Sequence, residues 1–164
     1  MRAENTMRLS FPSRSMNEAF ARAAVSAFAA SADPTLDLLC DVKTAVSEAV
    51  TNAIVHGYRD TVGEVHLSAW LTASGKLTIR VSDKGCGIPD IAKAMEPLYT
   101  TCPGEERAGL GFAVMQELMD SVKVSSKVGR GTTVTMVKQW IPKRARAAEP
   151  KISVPAPESS LPQS

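Results

Sequence analysis

Residues 33–58 form the stretch that most constrains how this chain can fold. Asp33 is a favourable N-cap, Pro34 suits a first turn and Gly57 permits a left-handed stop, which predicts a helix of roughly 23 residues. At 100° per residue, the apolar side chains form one stripe about 140° wide, which is the side that faces a core. The stripe consists of Leu38, Leu39, Val42, Ala45, Val46, Ala49, Val50 and Ala53.

Two polar residues, Glu48 and Asn52, lie on the border of this stripe. They are one turn apart and about 40° from each other, so a carboxylate and an amide can share a half-buried cleft. This pair is the candidate catalytic centre. The alternative at this stage is an ordinary solvated Glu and Asn at a helix edge.

Length and charge favour one neutral domain. With 164 residues, 44% of them hydrophobic, the chain can bury a core over residues 1–142. That segment carries 15 Lys and Arg against 15 Asp and Glu, and residues 143–164 carry 4 against 2. A neutral domain argues against direct nucleic-acid binding. The Pro-rich composition of residues 143–164 predicts a disordered tail.

Cysteine usage and hydropathy indicate a cytoplasmic protein. Cys40, Cys86 and Cys102 have no metal-binding or CxxC spacing, which predicts free thiols in a reducing compartment. No apolar run approaches the ~20 residues needed to span a bilayer, and the N-terminus lacks a signal-peptide core, so we expect no membrane association.

The remaining patterns predict an α/β fold. Residues 7–11 alternate like an edge strand, and Ser15 with Glu18 fits a capping box for a helix to about residue 30. The predicted inner face of that helix is Met16, Phe20, Ala23, Ala24, Ala27 and Phe28. Two hairpins follow, over residues 65–81 and 121–141.

The second strand of the first hairpin leads into DKGCGIP. Period-two alternation places Asp83 on the inward side of the sheet, where a carboxylate needs a donor. Gly85 and Gly87 allow a ligand or another backbone to approach closely. A tight turn, or an Asp satisfied by its own backbone, would explain the same residues.

Residues 96–108 have a loop composition and the length of a lid. The sequence GLGF then opens a helix whose first N–H groups, unobstructed at Gly109 and Gly111, suit a phosphate. Arg107 lies two residues upstream and could reach a terminal phosphate, although a solvated lid arginine is an equal alternative.

The order of these motifs resembles the GHKL superfamily, which includes histidine kinases, type II topoisomerases and mismatch-repair ATPases. Within it, RSMNEAFAR, DVKTAVSEAVTNAIVHGY, DKGCGIPDI, EPLYTT and ERAGLGF resemble the anti-sigma serine kinases of sporulating bacteria. The resemblance covers about residues 7–141. It implies a two-layer α/β sandwich, with a mixed, mostly antiparallel sheet and helices on one face.

The resemblance also implies roles for the base-binding residues. Asp83 would accept a hydrogen bond from the adenine amine of ATP, with Thr132 supporting the adenine end directly or through water. Gly85 and Gly87 would leave room for the nucleotide.

At the phosphate end, the resemblance implies that Asn52 coordinates Mg²⁺ and that Glu48 orients or deprotonates the acceptor hydroxyl. Arg107 would contact the γ-phosphate. The backbone seat for the phosphates would be Gly109, Leu110 and Gly111.

The implied activity is phosphorylation of a serine on an anti-anti-sigma protein by a homodimer that also binds and inhibits a sporulation sigma factor. Arg14, Glu18 and Arg22 are the implied partner-binding residues. From the sequence alone, Glu18 and Arg22 fit an exposed i, i+4 ion pair equally well.

Three other functions remain open. A general-stress anti-sigma kinase would share every nucleotide motif, and an ATP-dependent binding module would lack transfer. A histidine-kinase catalytic domain is disfavoured because His56 and His66 both lie inside the domain and no phosphoacceptor His precedes it.

Overall fold

The computed structural model describes residues 3–96 and 110–140. Within these ranges the strands are Asn5–Pro12 (β1), Glu64–Leu71 (β2), Lys76–Ser82 (β3), Ser121–Lys127 (β4) and Gly131–Gln139 (β5). The α-helices are Met16–Ala30 (α1), Leu36–Thr51 (α2), Ile91–Ala94 (α3) and Gly111–Leu118 (α4). The predicted domain boundary at residue 142 lies outside the described residues.

The five strands form one sheet in the order β1-β2-β3-β5-β4. Every strand pair in the described ranges is antiparallel, where a mixed sheet was predicted. The register aligns Leu67 with Val81 and Val81 with Val134, which gives the sheet a continuous apolar face. The predicted α/β fold, a sheet layered with helices, is confirmed.

Helix α2 provides the main helical surface of the core. As predicted from the stripe, Val42, Ala45, Val46, Ala49 and Val50 are buried. The sheet contributes its alternate residues, and the largest fully buried side chains there are Leu67, Leu77, Ile79 and Met136. Burying this apolar surface from both layers is the main stabilising contribution to the fold.

The start of α2 differs from the prediction. Thr35 caps the helix, with its Oγ1 accepting a hydrogen bond from Leu38 N–H at 3.4 Å. Asp33 instead has a φ of 51°, in the left-handed region that Asp tolerates better than most residues. Asp33 therefore turns the chain between α1 and α2, and the cap moves two residues later.

The end of α2 also differs from a regular helix. Residues Asn52–Gly57 continue it as a π-helix, a wider turn that often occurs at functional sites. Gly57 does not adopt the positive φ predicted for a helix stop. A Cβ at Gly57 would lie 3.0 Å from Asp83 Cγ, so the glycine is needed for close contact with that carboxyl group.

Helix α1 presents a different face to the core than predicted. Ala21, Val25 and Ala29 are buried, whereas Met16 is 76% and Phe20 is 51% exposed. Small residues on the inner face let α1 pack closely on α2, and this packing overrides the larger apolar stripe. The predicted capping box is also absent, because the Ser15 side chain makes no cap hydrogen bond.

Two expectations about the chain's environment can be compared with the described residues. Cys40 and Cys86 are free and exposed. No helix in residues 3–96 and 110–140 has the length and hydropathy needed to cross a bilayer. Cys102 lies outside the described residues.

Candidate functional site

A cleft lies between α2 and its π-helical continuation, the end of β3 and the start of α4. It encloses about 890 Å³ including the solvent at its mouth. Its lining includes Asn52, Asp83, Gly87, Gly111 and Thr132, five of the residues predicted for nucleotide binding.

Apolar side chains form the walls of the cleft. They come from α2, β3, β5, α3 and α4 and from the loop after Gly87: Ala49, Ala53, Val81, Ile88, Pro89, Ala94, Phe112 and Val134. Such walls suit a flat, largely apolar ring. The few polar groups between them are placed to determine its orientation.

Asp83 is the most deeply buried of these polar groups, with 8% of its surface exposed. Its Oδ1 accepts hydrogen bonds from Gly85 N–H at 2.9 Å and from Thr132 N–H at 3.3 Å. Burial raises the pKa of the carboxyl group, and these two backbone donors partly oppose the rise. Both bonds use Oδ1, so Oδ2 is the oxygen that can accept from a ligand in the cleft.

The glycines around Asp83 serve backbone packing. A Cβ at Gly85 would lie 2.0 Å from the carbonyl oxygen of Gly57, and one at Gly131 would lie 2.0 Å from that of Asp83. Gly87 has a φ of 74°, and a Cβ there would lie 2.3 Å from the Lys127 carbonyl oxygen. The sequence left open whether a ligand or another backbone approaches Gly85. In the structure it is the backbone of Gly57 that lies against Gly85.

Hydroxyl groups connect the floor of the cleft to β4. Ser126 Oγ accepts a hydrogen bond from Ile88 N–H at 2.8 Å and donates to Gly131 O at 3.0 Å. It also lies 2.9 Å from Thr132 Oγ1, a distance at which the two hydroxyls share a hydrogen bond. This network positions Thr132 beside Asp83.

At the other end of the cleft, α4 begins against the Glu48 and Asn52 pair. A Cβ at Gly111 would lie 3.1 Å from Glu48 Oε2 and 3.3 Å from both Nδ2 and Oδ1 of Asn52. Glu48 and Asn52, which were predicted to be neighbours, therefore both lie close to Gly111, the first residue of the predicted phosphate-binding helix. Leu110 is the N-cap residue of α4, and its side chain makes no capping bond.

Arg107 and Gly109 lie outside the described residues. Their predicted contacts with phosphate remain predictions.

Arg59 and His56 also line the cleft, and neither was predicted from the sequence to lie there. Arg59 lies just after the π-helix, is exposed, and is the arginine among the described lining residues. An arginine two residues beyond the predicted helix stop looked like an ordinary turn residue. Only the folded cleft shows that it faces the same space as Asn52.

The predicted partner residues lie away from the cleft, at the start of α1. Arg22 Nη1 lies 3.6 Å from Glu18 Oε1, which forms the predicted i, i+4 ion pair. Ser47 Oγ of α2 donates to Glu18 Oε1, so the pair is anchored on the neighbouring helix. Arg14 is exposed just before α1.

Metal binding by protein side chains alone has no support in the described part of the chain, where no group of three or more His, Cys, Asp or Glu could hold an ion. Asn52 is compatible with Mg²⁺ in a different way. This ion is usually held by one or two protein oxygens together with phosphates and water.

The comparisons with known proteins agree with this geometry. Residues 11–138 match the family of histidine kinase-like ATPase domains. The anti-sigma F factor of Thermoanaerobacter sp. (strain X514) is 54% identical over 138 residues, covering 84% of this chain and 96% of the relative. That of Clostridium acetobutylicum is 53% identical, covering 84% and 95% respectively.

Among solved structures, a histidine kinase domain from Erythrobacter litoralis EL346 aligns with a TM-score of 0.48 at 20% identity, covering 79% of this chain and 62% of that one. The high identity to the anti-sigma F factors extends over nearly their whole length. The chain therefore belongs to the anti-sigma F factor family and contains a histidine kinase-like ATPase domain.

Proposed function

We propose that this protein binds and inhibits a sporulation sigma factor and uses Mg-ATP to phosphorylate a serine of its anti-anti-sigma antagonist. The observation that carries the proposal is the convergence of Asp83, Asn52, Glu48 and the start of α4 on one cleft. Family membership and the names of the relatives support it.

Asp83 recognises the base. Its Oδ1 is engaged by two backbone N–H groups, so Oδ2 accepts from the exocyclic amine of adenine. The apolar walls enclose the ring, and Thr132 stands beside the carboxylate. A guanine, which presents a carbonyl oxygen where adenine has its amine, would place an acceptor against an acceptor and bind poorly.

The phosphates lie at the start of α4. The lack of a side chain at Gly111 keeps the first turn open, and the helix N-terminus favours negative charge. Asn52 holds Mg²⁺ together with the phosphate oxygens, and the ion neutralises their charge. Arg107 and Gly109 complete this end in the proposal, as the family resemblance implies.

Glu48 acts on the acceptor serine. It is half-buried one turn before Asn52, and its Oε2 would lie 3.1 Å from a Cβ at Gly111, which supports a position beside the proposed phosphate site. From there it orients the hydroxyl and accepts its proton as the phosphoryl group transfers.

Partner binding uses the start of α1. The Glu18–Arg22 pair, anchored by Ser47, presents a fixed pattern of charge, and the exposed Arg14 extends it. In this proposal the active form is a cytoplasmic homodimer. A general-stress anti-sigma kinase would use the same cleft, so the identity of the sigma factor distinguishes the two functions.

Titration calorimetry tests the proposed nucleotide binding, and retention of a sigma factor by the immobilised protein tests the proposed partner binding. Purified full-length protein should bind ATP with Mg²⁺ more tightly than GTP, and the immobilised protein should retain a sporulation sigma factor but not a general-stress one. Equal affinity for ATP and GTP would contradict the role of Asp83. Retention of only the general-stress sigma factor would assign the chain to the alternative.

A further inference from the structure

The outward face of the sheet, opposite the buried residues of each strand, carries a concentration of positive charge. Its basic residues are Arg8, Lys76, Arg80, Lys123 and Lys127, all half-buried or exposed. Among the described residues of the five strands, five Lys and Arg thus lie on this face, against one acidic residue, Glu64. The remaining 14 basic and 16 acidic residues leave the rest of the chain slightly negative.

Three of the five cations form one transverse row. The strand register aligns Arg8 with Ser68, Ser68 with Arg80, Arg80 with Thr135, and Thr135 with Lys123. One hydroxyl-bearing residue lies between each two cations of the row. Neighbouring cations are therefore two strands apart, at a distance of about 9.6 Å. The row therefore extends about 19 Å across the whole sheet.

The side chains around this row leave its charge available. The Arg80 guanidinium lies over the Trp70 ring, 5.3 Å from its centroid, which orients the group, and no carboxylate of the described residues forms an ion pair with it. Glu64, the carboxylate on this face among the described strand residues, accepts from Ser10 Oγ, and its Oε2 lies 3.4 Å from His66 Nε2. It is engaged at the edge of the sheet, away from the row.

We propose that this sheet face docks an acidic helix of a protein partner, laid across the strands. Carboxylates two turns apart on a helix are separated by about 10.5 Å, which matches the spacing of Arg8, Arg80 and Lys123. The hydroxyls between the cations accept and donate to the polar side chains of such a helix. This surface is separate from the nucleotide cleft, and the inference does not depend on the proposed kinase activity.

Nucleic acid fits the face less well than an acidic helix. Open sheets that bind single strands stack bases on exposed aromatic rings. In the described part of this face the rings are Trp70, which Arg80 already covers, and His66, whose Nε2 lies 3.4 Å from Glu64 Oε2. The slightly negative remainder of the chain would also repel a long polyanion that extended beyond the sheet.

Fluorescence anisotropy with a designed peptide tests the inference. The probe is a labelled 22-residue Ala- and Gln-based helix with Glu at positions 4, 11 and 18, and the reference peptide has Gln at those positions. At low salt the full-length protein should bind the Glu peptide, and the triple variant Arg8→Gln, Arg80→Gln, Lys123→Gln should bind it about tenfold more weakly.

A charge-matched control separates this face from a general effect of net charge. The triple variant Lys43→Gln, Lys84→Gln, Lys93→Gln removes the same charge from residues outside the five strands and should bind the Glu peptide as the parent does. Circular dichroism on both variants verifies that each is folded. Binding should weaken steeply between low and high salt.

Several results would overturn the proposal. These are failure of the parent to bind the Glu peptide, equal binding of the Gln peptide, or equal weakening by the two triple variants. If the parent bound a 15-nucleotide oligo(dT) more tightly than the Glu peptide, the face would be assigned to nucleic acid. Loss of self-association in the face variant alone, measured by sedimentation, would make the face a contact between two copies.

Discussion

Gly111, the first residue of α4, lies directly against Glu48: a Cβ at this glycine would be 3.1 Å from Glu48 Oε2. The proposed base on α2 and the proposed phosphate-binding helix are therefore in contact. A side chain at residue 111 would displace the carboxylate, and this suggests a test of catalysis that leaves the fold intact.

Gly111→Ala should reduce phosphotransfer about tenfold, because small displacements of a positioned group cost orders of magnitude in rate. The unfolding temperature should not fall, since Ala is favoured over Gly in a helix. Single-turnover transfer and thermal unfolding measure the two effects. Gln116→Ala, at an exposed residue of the same helix, is the control and should leave the rate unchanged; equal rates for Gly111→Ala and the parent would contradict the contact.

Asp83→Asn should weaken ATP binding by about 5- to 150-fold. The amide can present an N–H₂ group where the adenine amine needs an acceptor, and a buried mismatch of this kind costs about 1–3 kcal/mol. Titration calorimetry with Mg-ATP measures the affinities of the parent and the variant. An affinity within twofold of the parent value would contradict the assignment of Asp83 to base recognition.

Protonation of Asp83 gives a pH dependence. Burial raises the pKa of Asp83 above its ordinary value of 3.8, so the folded state binds the proton more tightly than the unfolded chain does. The ionised carboxylate thus lowers stability at neutral pH, and the penalty disappears as the pH falls through the folded-state pKa. As the pH is lowered from 7 to 4, the free energy of unfolding of the parent should therefore rise relative to that of Asp83→Asn. A difference in unfolding free energy that stays constant over this range would contradict the prediction.

Gly85→Ala should destabilise the protein without any nucleotide present. Its Cβ would lie 2.0 Å from the Gly57 carbonyl oxygen, and overpacking of this kind costs about 1–3 kcal/mol or more. Gly129→Ala is the comparison, because no atom lies within 4 Å of a Cβ there and only its φ of 72° opposes the change. Urea unfolding should rank Gly85→Ala as the less stable, and the reverse order would show that the loop relaxes at little cost.

Arg59→Glu should weaken binding of ATP and ADP while leaving adenosine affinity unchanged. Arg59 is a basic lining residue of the cleft, and reversing its charge places a carboxylate near the phosphates. A loss of about three- to thirtyfold at low salt, shrinking at high salt, is expected. Arg130→Glu, in the turn between β4 and β5, is the matched control; equal losses for all three ligands would indicate a damaged cleft instead.

The parts of the fold that local periodicity determines could be predicted from the sequence. The apolar stripe of α2 and the alternation in β2 and β3 depend on residues close in the chain, and both are buried as predicted. Period two also placed Asp83 on the inward side, where it is found. The proximity of Glu48 and Asn52 follows from helical spacing alone.

Features that depend on contacts between distant residues could not be predicted in this way. Alanines lie on several sides of α1, so its sequence does not define one inner face, and close packing on α2 selected Ala21, Val25 and Ala29. The contact of Gly57 with Gly85 joins residues 28 positions apart. The position of Arg59 in the cleft likewise depends on how the π-helix ends.

Phosphotransfer from γ-labelled ATP, with Mg²⁺ and a candidate anti-anti-sigma protein, tests the central proposal most directly. Glu48→Gln is the paired variant, since it is nearly isosteric and removes only the base. We expect label on a partner serine with the parent, and loss of that label with Glu48→Gln while ATP affinity is retained. Transfer by the variant at the parent rate would contradict the assignment of Glu48, and ATP binding without any transfer by the parent would contradict the kinase proposal itself.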